Sequence, residues 1–490
     1  VNRDPFTGYP GGHADEAVDP AGRWRGGYGR IGEAVRRLGE SGLRSAATAL
    51  DADRRAQGVV VSAWADGRQH ARPFPLDPLP RLVGPTEWAR VAAGVEQRHR
   101  ALNAFLADAY RAAGRRRGDV DRAPEIVRAG MLPEWAVAHS PGRDPDAVGL
   151  AWPGQPRVAV AAADLLRTAA GGWVVTRDSL RAPSGLGYAL VARDHLLRAL
   201  PGLFDGPPVT DPRDAVGLLR AGLSTAAPPA GAGQPRLAVL TAGESDAAWF
   251  EHRVLAEALG VPLVRAAELW PRADGGLAAI VDGRRLPVDV LYRRFDDAAL
   301  GAYSTPVGQS LGVLLTEAVR AGRLGLANVP GNGLADDAAT YAWVPAMIRF
   351  YLGEEPLLDS RRTWILADQG QWAQVRDRLH ELVLEPVAGY GGSGTVVGSA
   401  CTAAELARLR TEVEAAPHRF VAQEPVEGTT VPVLTDGRLE PRQADLRVFS
   451  VAGDGATAQA LPAPLTRVGS RTGAAVAEHG DGCKDTWLLP

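Results

Sequence analysis

Apolar positions recur at helical spacing early in the chain. Over residues 86–117 they fall at Val91, Val95, Leu102, Phe105, Leu106 and Tyr110, and Pro85 followed by Thr86 is a start signal, so the spacing predicts a long amphipathic helix. Residues 33–57 also read as helix. Ahead of them, residues 1–32 are rich in Gly, Pro and Asp without a period, which predicts a poorly ordered arm. The character changes over residues 157–178. Two β-prone runs, Val158-Ala159-Val160 and Trp173-Val174-Val175, flank a polar turn at residues 169–172, and they predict a hairpin or neighbouring strands.

Ala, Pro and Gly crowd residues 224–234 as a linker or exposed loop. Beyond it the pattern becomes β-α-β, with strands at 237–240, 262–264 and 288–292 and a helix at 246–259. The last of these strands ends in Arg293 and Arg294. Binding groups in open α/β sheets lie beyond the carboxyl ends of strands, so these two arginines are candidates for a site or simply solvated. The final section predicts a helix at 336–352, a strand at 381–385, a glycine loop at 389–394, and strands near 420–423 and 446–451. The expected organisation is an arm and helical region over 1–150, a hairpin unit over 151–224, an α/β unit over 235–330 and an α+β section over 331–490. The fold class is α/β with α+β lobes.

The length of 490 residues suggests two to four packed units. With 46% hydrophobic residues, 23% charged residues and a net charge of -3, the chain reads as globular, and no nucleic-acid partner is implied. It contains no run of about 18 apolar residues, and its first residues are polar. Neither a membrane partner nor a secretory leader is therefore expected, and the expected location is cytoplasmic. Cys401 and Cys483 lack metal-type spacing and read as two unpaired thiols.

The loop Gly389-Tyr390-Gly391-Gly392-Ser393-Gly394 carries four glycines in six residues. Such a backbone can adopt φ > 0 and bring N–H groups close to an anion. Glycine is equally the default residue of a hairpin turn. The loop is neither a dinucleotide fingerprint nor a P-loop, because no Gly-Lys-Ser/Thr follows.

A series of longer strings gives the loop its context. They are Pro80-Arg-Leu-Val-Gly-Pro-Thr-Glu-Trp88, Arg100-Ala-Leu-Asn-Ala-Phe-Leu-Ala-Asp-Ala-Tyr110, Leu180-Arg-Ala-Pro-Ser-Gly-Leu-Gly-Tyr188 and Trp249-Phe-Glu-His252, then Val290-Leu-Tyr-Arg-Arg-Phe-Asp-Asp297, Leu352-Gly-Glu-Glu-Pro356, Pro441-Arg-Gln-Ala-Asp-Leu-Arg447 and Cys483-Lys-Asp-Thr-Trp487. In this order, from about residue 75 to the end, they resemble the type 2 circularly permuted ATP-grasp family. The resemblance implies two lobes that grasp ATP, a Rossmann-like unit ahead of the grasp core, and a ligase that uses ATP and Mg2+ to activate a carboxylate as an acyl phosphate for attack by an amine. A peptide or amino-acid substrate would follow. By position, the resemblance puts Tyr390, Gly391, Gly392, Ser393 and Gly394 on phosphate, Gln423 and Glu424 at the adenine-side hinge, and Arg442 and Arg447 towards phosphate or substrate. Arg293, Arg181 and Ser184 fall on the substrate side, and Asp164 where the family carries its first metal-facing Asp.

Several positions depart from the family pattern. Where the family has Leu-Glu-Asp-Asn, with Glu and Asn holding magnesium, this chain has Thr176-Arg177-Asp178-Ser179. Alternate strand residues share a face, so Arg177 and Ser179 take the ligand positions and Asp178 points away. The phosphate-facing lysine of a Lys-Pro pair is replaced by Glu385, and the lysine of an Ala-Asp-Asp-Lys string by Ala338. A carboxylate beside polyphosphate costs on the order of several kcal/mol in a partly desolvated site. The expectation is that ATP and magnesium bind weakly or not at all, and that the chain is a non-catalytic or weakly active pseudo-ligase. It would serve as a binding subunit for an active ATP-grasp relative or another protein partner. The alternative is an ATP-dependent carboxylate-amine ligase with an atypical metal site, in which Arg177 itself contacts phosphate. Two geometric expectations accompany these readings: the hairpin at 164–179 faces the glycine loop, and Arg177 pairs with Glu385.

Overall fold

The computed structural model describes residues 3–65, 68–111, 123–204, 209–229, 233–388, 394–469 and 482–490. Among the described residues the largest sheet has nine strands. Its axis is the long strand Arg438–Ala452, which pairs antiparallel with Val160–Arg167 on one side and Leu465–Val468 on the other. The sheet then continues through Trp173–Ser179 to Asp359–Ser360 at one edge, and through Gly482–Leu488 to Leu76–Val83 at the other. Residues more than 200 positions apart therefore become neighbours across this sheet.

The expected hairpin forms from Val160–Arg167 and Trp173–Ser179. Its first strand is buried almost throughout because both faces are covered, so it reads as an apolar run without alternation. Val158 stays outside the strand because a helix takes its backbone groups. Asn103 Oδ1 accepts from the Val158 N–H at 2.9 Å, and Asn103 Nδ2 and His99 Nε2 lie 3.0 and 2.9 Å from its carbonyl. The register shifts between Asp164 and Leu165, leaving Thr176 as the extra residue of a bulge. Arg177 sits directly beside that bulge.

A separate four-stranded parallel sheet, ordered Gly325–Ala327, Val290–Arg293, Leu237–Leu240 and Leu263–Val264, carries the helices Trp249–Leu259 and Leu311–Arg320. A third, antiparallel sheet joins Thr363–Ile365, Phe420–Gln423, Val383–Pro386 and Val396–Val397. Among the described residues no helix is long and apolar enough to cross a membrane.

Three expectations need correction. The described part of the N-terminal arm is pinned, because buried Asp15 accepts from Tyr9 at 2.5 Å and from the N–H groups of Ala17 and Val18. Next to it, Glu16 receives the Arg81 guanidinium at 2.6 and 3.0 Å. The helix that follows spans Tyr28–Ala56 and so begins before residue 33, and the next covers Pro85–Ala109, while 112–117 of the expected stretch lie outside the described residues. The helix expected at 336–352 is broken into pieces, Gly333–Asp336, Thr340–Trp343, Val344–Met347 and Ile348–Leu352. Asp337 is extended there and its carboxylate accepts from the Thr340 N–H at 2.5 Å, while Pro345 has no N–H to continue the ladder.

Candidate functional site

Strand Trp173–Ser179 of the main sheet faces strand Val383–Pro386 of the antiparallel sheet across the broken helix. The resulting cleft is lined by Thr176, Arg177 and Asp178 from the hairpin, Asp336, Asp337 and Tyr341 from the broken helix, and Glu385, Pro386, Thr395 and Gln423 from the other lobe. Pro386 and Thr395, which flank the glycine loop, line the same cleft as the hairpin. Of the loop itself, Tyr390, Gly391, Gly392 and Ser393 lie outside the described residues. Gly394 has φ +81°, and a Cβ there would approach Pro386 Cγ to 2.8 Å, so the position requires glycine.

The cleft is filled by charge pairs. Arg177 Nη2 donates to Glu385 Oε2 at 3.3 Å across 208 positions of chain. Arg361 Nη1 lies 3.7 Å from Glu385 Oε1. Arg361 is held in place by its Nε donating to the Glu424 carbonyl at 2.8 Å and its N–H to the Tyr341 hydroxyl at 2.7 Å. The cavity left is about 20 Å³, whereas a water molecule needs at least about 10–15 Å³. Small-molecule sites enclose about 300–1,000 Å³. Gln423 is almost fully buried in the cleft wall. Its Nε2 donates to Thr363 Oγ1 at 3.2 Å, and its Oε1 has no partner among the described residues.

Behind Arg177, the face expected to hold metal is neutralised. Asp164 receives Arg447 Nε and Nη2 at 2.7 and 2.9 Å, and Arg467 Nη2 lies 2.9 Å away. Burial by itself would raise the Asp164 carboxyl, but Arg447 and then Arg467 hold it below the ordinary carboxylate range. Arg447 also reaches Ser179 Oγ at 3.4 Å and the Ser184 carbonyl at 2.9 Å, so four expected site residues do come together. Their donor set does not suit magnesium, which requires near-octahedral oxygen ligands. One carboxylate is already matched by two guanidiniums, and the neighbouring Arg177 and Ser179 add a cation and a single hydroxyl. Among the described residues no group of three or more His, Cys, Asp or Glu could hold a metal ion. Asp178 borders the cleft, but its carboxylate is taken by a buried bidentate grip from Arg98 at 2.5 and 3.0 Å.

On the wall between the lobes, Asp336 accepts from the N–H groups of Leu180 and Arg181 at 2.6 and 3.1 Å. Asp337 accepts from Ser140 Oγ at 2.5 Å, and burial pushes its carboxyl up to about 6. Ala338 offers no charge. Arg181 stands behind this wall, paired with Asp296 at 2.8 Å and Asp336 at 3.6 Å.

Three candidate arginines are not brought to the cleft. Arg293 is fully buried, donating to the carbonyls of Phe295 and Asn328 and pairing with Asp297. Arg294 is buried against Glu251 at 3.2 Å and the Tyr292 hydroxyl at 2.9 Å. Arg442 lies on the opposite face of the long strand from Arg447, bound to Glu440 at 2.9 Å and Thr435 at 3.2 Å. Conversely, Arg361 and Arg467 were not singled out in the sequence. Arg361 follows a two-residue strand and Arg467 lies in a four-residue one, lengths too short to carry a face pattern.

The family model for circularly permuted ATP-grasp type 2 matches residues 80–469. A Frankia alni protein named "Putative glutamate--cysteine ligase 2-3" is 41% identical over 98% of this chain and 54% of its own length. An uncharacterized Mycobacterium tuberculosis protein is 39% identical over 97% of this chain and 84% of its own. The chain spans about half the length of the Frankia relatives it matches. A glutathione synthetase-like effector from Globodera pallida superposes with a TM-score of 0.56 at 13% identity, over 91% of this chain and 97% of that one, a likeness of fold.

Proposed function

Because the chain belongs to the circularly permuted ATP-grasp type 2 family, we propose that it is a ligase-derived binding subunit whose nucleotide cleft has been closed by its own side chains. Members of this family generally use ATP and Mg2+, and the Frankia relatives carry a ligase name. One observation supports a different use here. Arg177 and Glu385 pair across the cleft, buried Arg361 backs Glu385, and about 20 Å³ is left. Arg177 and Glu385 invert the charges expected at their two positions and preserve the sum, so a pair that satisfies both groups takes the space of phosphate and metal. Frankia relatives carry the same unit within chains about twice as long, which is compatible with a subunit that works beside further polypeptide, such as an active ATP-grasp relative.

The relatives' names favour a second reading, an ATP-dependent carboxylate-amine ligase acting on an amino acid or peptide. In it, Glu385 would swing aside and Arg177 and Arg361 would receive an anionic ligand directly. Site reversal separates the two. The closed-cleft reading expects no ADP release from the natural chain with Mg-ATP and glutamate plus cysteine, and none from Glu385→Lys alone. It expects Mg-ATP binding to appear when Arg177→Glu, Ser179→Asn, Ala338→Lys and Glu385→Lys are combined. Substrate-dependent ADP release by the natural chain would establish the ligase reading instead.

A further inference from the structure

At the edge of the main sheet far from the cleft, an open groove of about 710 Å³ runs between the first turns of helix Tyr28–Ala56 and the end of strand Gly482–Leu488. That volume lies within the range of small-molecule sites. The floor is apolar, formed by Leu82, Leu203, Phe204, Trp487 and Leu489. Arg30, Glu33 and Arg37 stand exposed along the rim at helical spacing, on one face of the helix. Neighbouring arginines on this helix are committed, Arg36 to Asp4 at 3.0 Å and Arg44 to Glu40 at 3.6 Å. Among the described residues, neither Arg30 nor Arg37 makes an ion pair. Gly26, Gly29 and Gly202 also line the groove, and a Cβ on any of them would meet nothing within 4 Å, so the space beside them is open.

We propose that this groove binds an amphipathic monocarboxylate, its apolar body on the Phe204 and Trp487 floor and its carboxylate on Arg30 and Arg37. Burying an aliphatic or aromatic body on this floor supplies the affinity, and a guanidinium matches a carboxylate through paired hydrogen bonds. Glu33, between the two arginines, leaves one net positive charge, which suits a single carboxylate better than a phosphate dianion. The site is independent of whether the cleft accepts nucleotide.

Calorimetric titration of the full chain with sodium dodecanoate, below its micelle concentration, tests the assignment. Saturable one-to-one binding is expected, at least tenfold weaker in Gly202→Phe, which fills the groove, and in the double variant Arg30→Glu with Arg37→Glu. Gly202 has open space and ordinary backbone angles, and the two arginines are exposed, so these variants are expected to fold. The double variant is expected to prefer dodecylamine. Absence of saturable binding to the natural chain, equal affinity in both variants, or natural-chain binding of dodecylamine as tight as dodecanoate would each overturn the proposal.

Discussion

The cleft and the edge groove stand at opposite ends of one sheet and use their charges in opposite ways. In and behind the cleft, described guanidiniums are matched by carboxylates of the same chain: Arg177 and Arg361 share Glu385, Arg447 and Arg467 share Asp164, and Arg98 holds Asp178. In the groove the apolar floor is roomy, and among the described residues Arg30 and Arg37 make no ion pair. About 20 Å³ remains in the first and about 710 Å³ in the second. A site whose polar groups satisfy one another has little left to offer a ligand, whereas a groove with open apolar surface and spare charge does.

The contrast can be broken first at Asp164. As a metal ligand it would be dispensable to the fold, but as the shared partner of two buried arginines it is not. Asp164→Ala is expected to cost about 3–5 kcal/mol in urea denaturation, because buried Arg447 loses its carboxylate and Arg467 keeps only Asp445. A loss below about 1 kcal/mol would return Asp164 to the role of a free ligand.

The next effect is set by pH. Asp337 has an ordinary carboxyl value of 3.8 and is raised to about 6 by burial. The folded state therefore holds this proton more tightly than the unfolded state. Its contribution favours folding below pH 4 and is lost as pH rises through about 6, at most about 3 kcal/mol. Stability of the natural chain relative to Asp337→Asn is expected to fall between pH 4 and 6.5, and a flat difference would remove the assignment.

A smaller effect sharpens the filled cleft. The Arg177 and Glu385 side chains are 23% and 12% exposed, so solvent screens the pair only partly. A double-mutant cycle of Arg177→Ala with Glu385→Ala is expected to give a coupling of about 1 kcal/mol, and additivity would make them independent side chains. At the groove, Gly202→Phe is expected to change stability by no more than about 0.5 kcal/mol.

Much of the cleft could be read before any coordinates. Periodicity located the hairpin and the parallel strands, and strand alternation placed Arg177 and Ser179 on one face with Asp178 on the other. The Arg177–Glu385 pair followed from two inverted charges. What escaped reading has physical causes. The ordered arm depends on Asp15 and Glu16 meeting Thr430 and Arg81, contacts that span tens to hundreds of residues. The break at residues 336–352 arises because the Asp336 carboxylate is used by the Leu180 N–H of a distant segment and the Asp337 carboxylate caps the Thr340 N–H. Arg442 illustrates the reverse. It lies five positions from Arg447 on one strand, a spacing that puts the two on opposite faces, so strand geometry already separated what family position had joined.

Calorimetry of the natural chain with Mg-ATP decides whether the cleft is closed. No saturable heat is expected at millimolar Mg-ATP, and no rise in melting temperature. A micromolar dissociation constant that depends on magnesium, accompanied by stabilisation of about 2.7 kcal/mol at one hundred times that constant, would contradict the closed cleft.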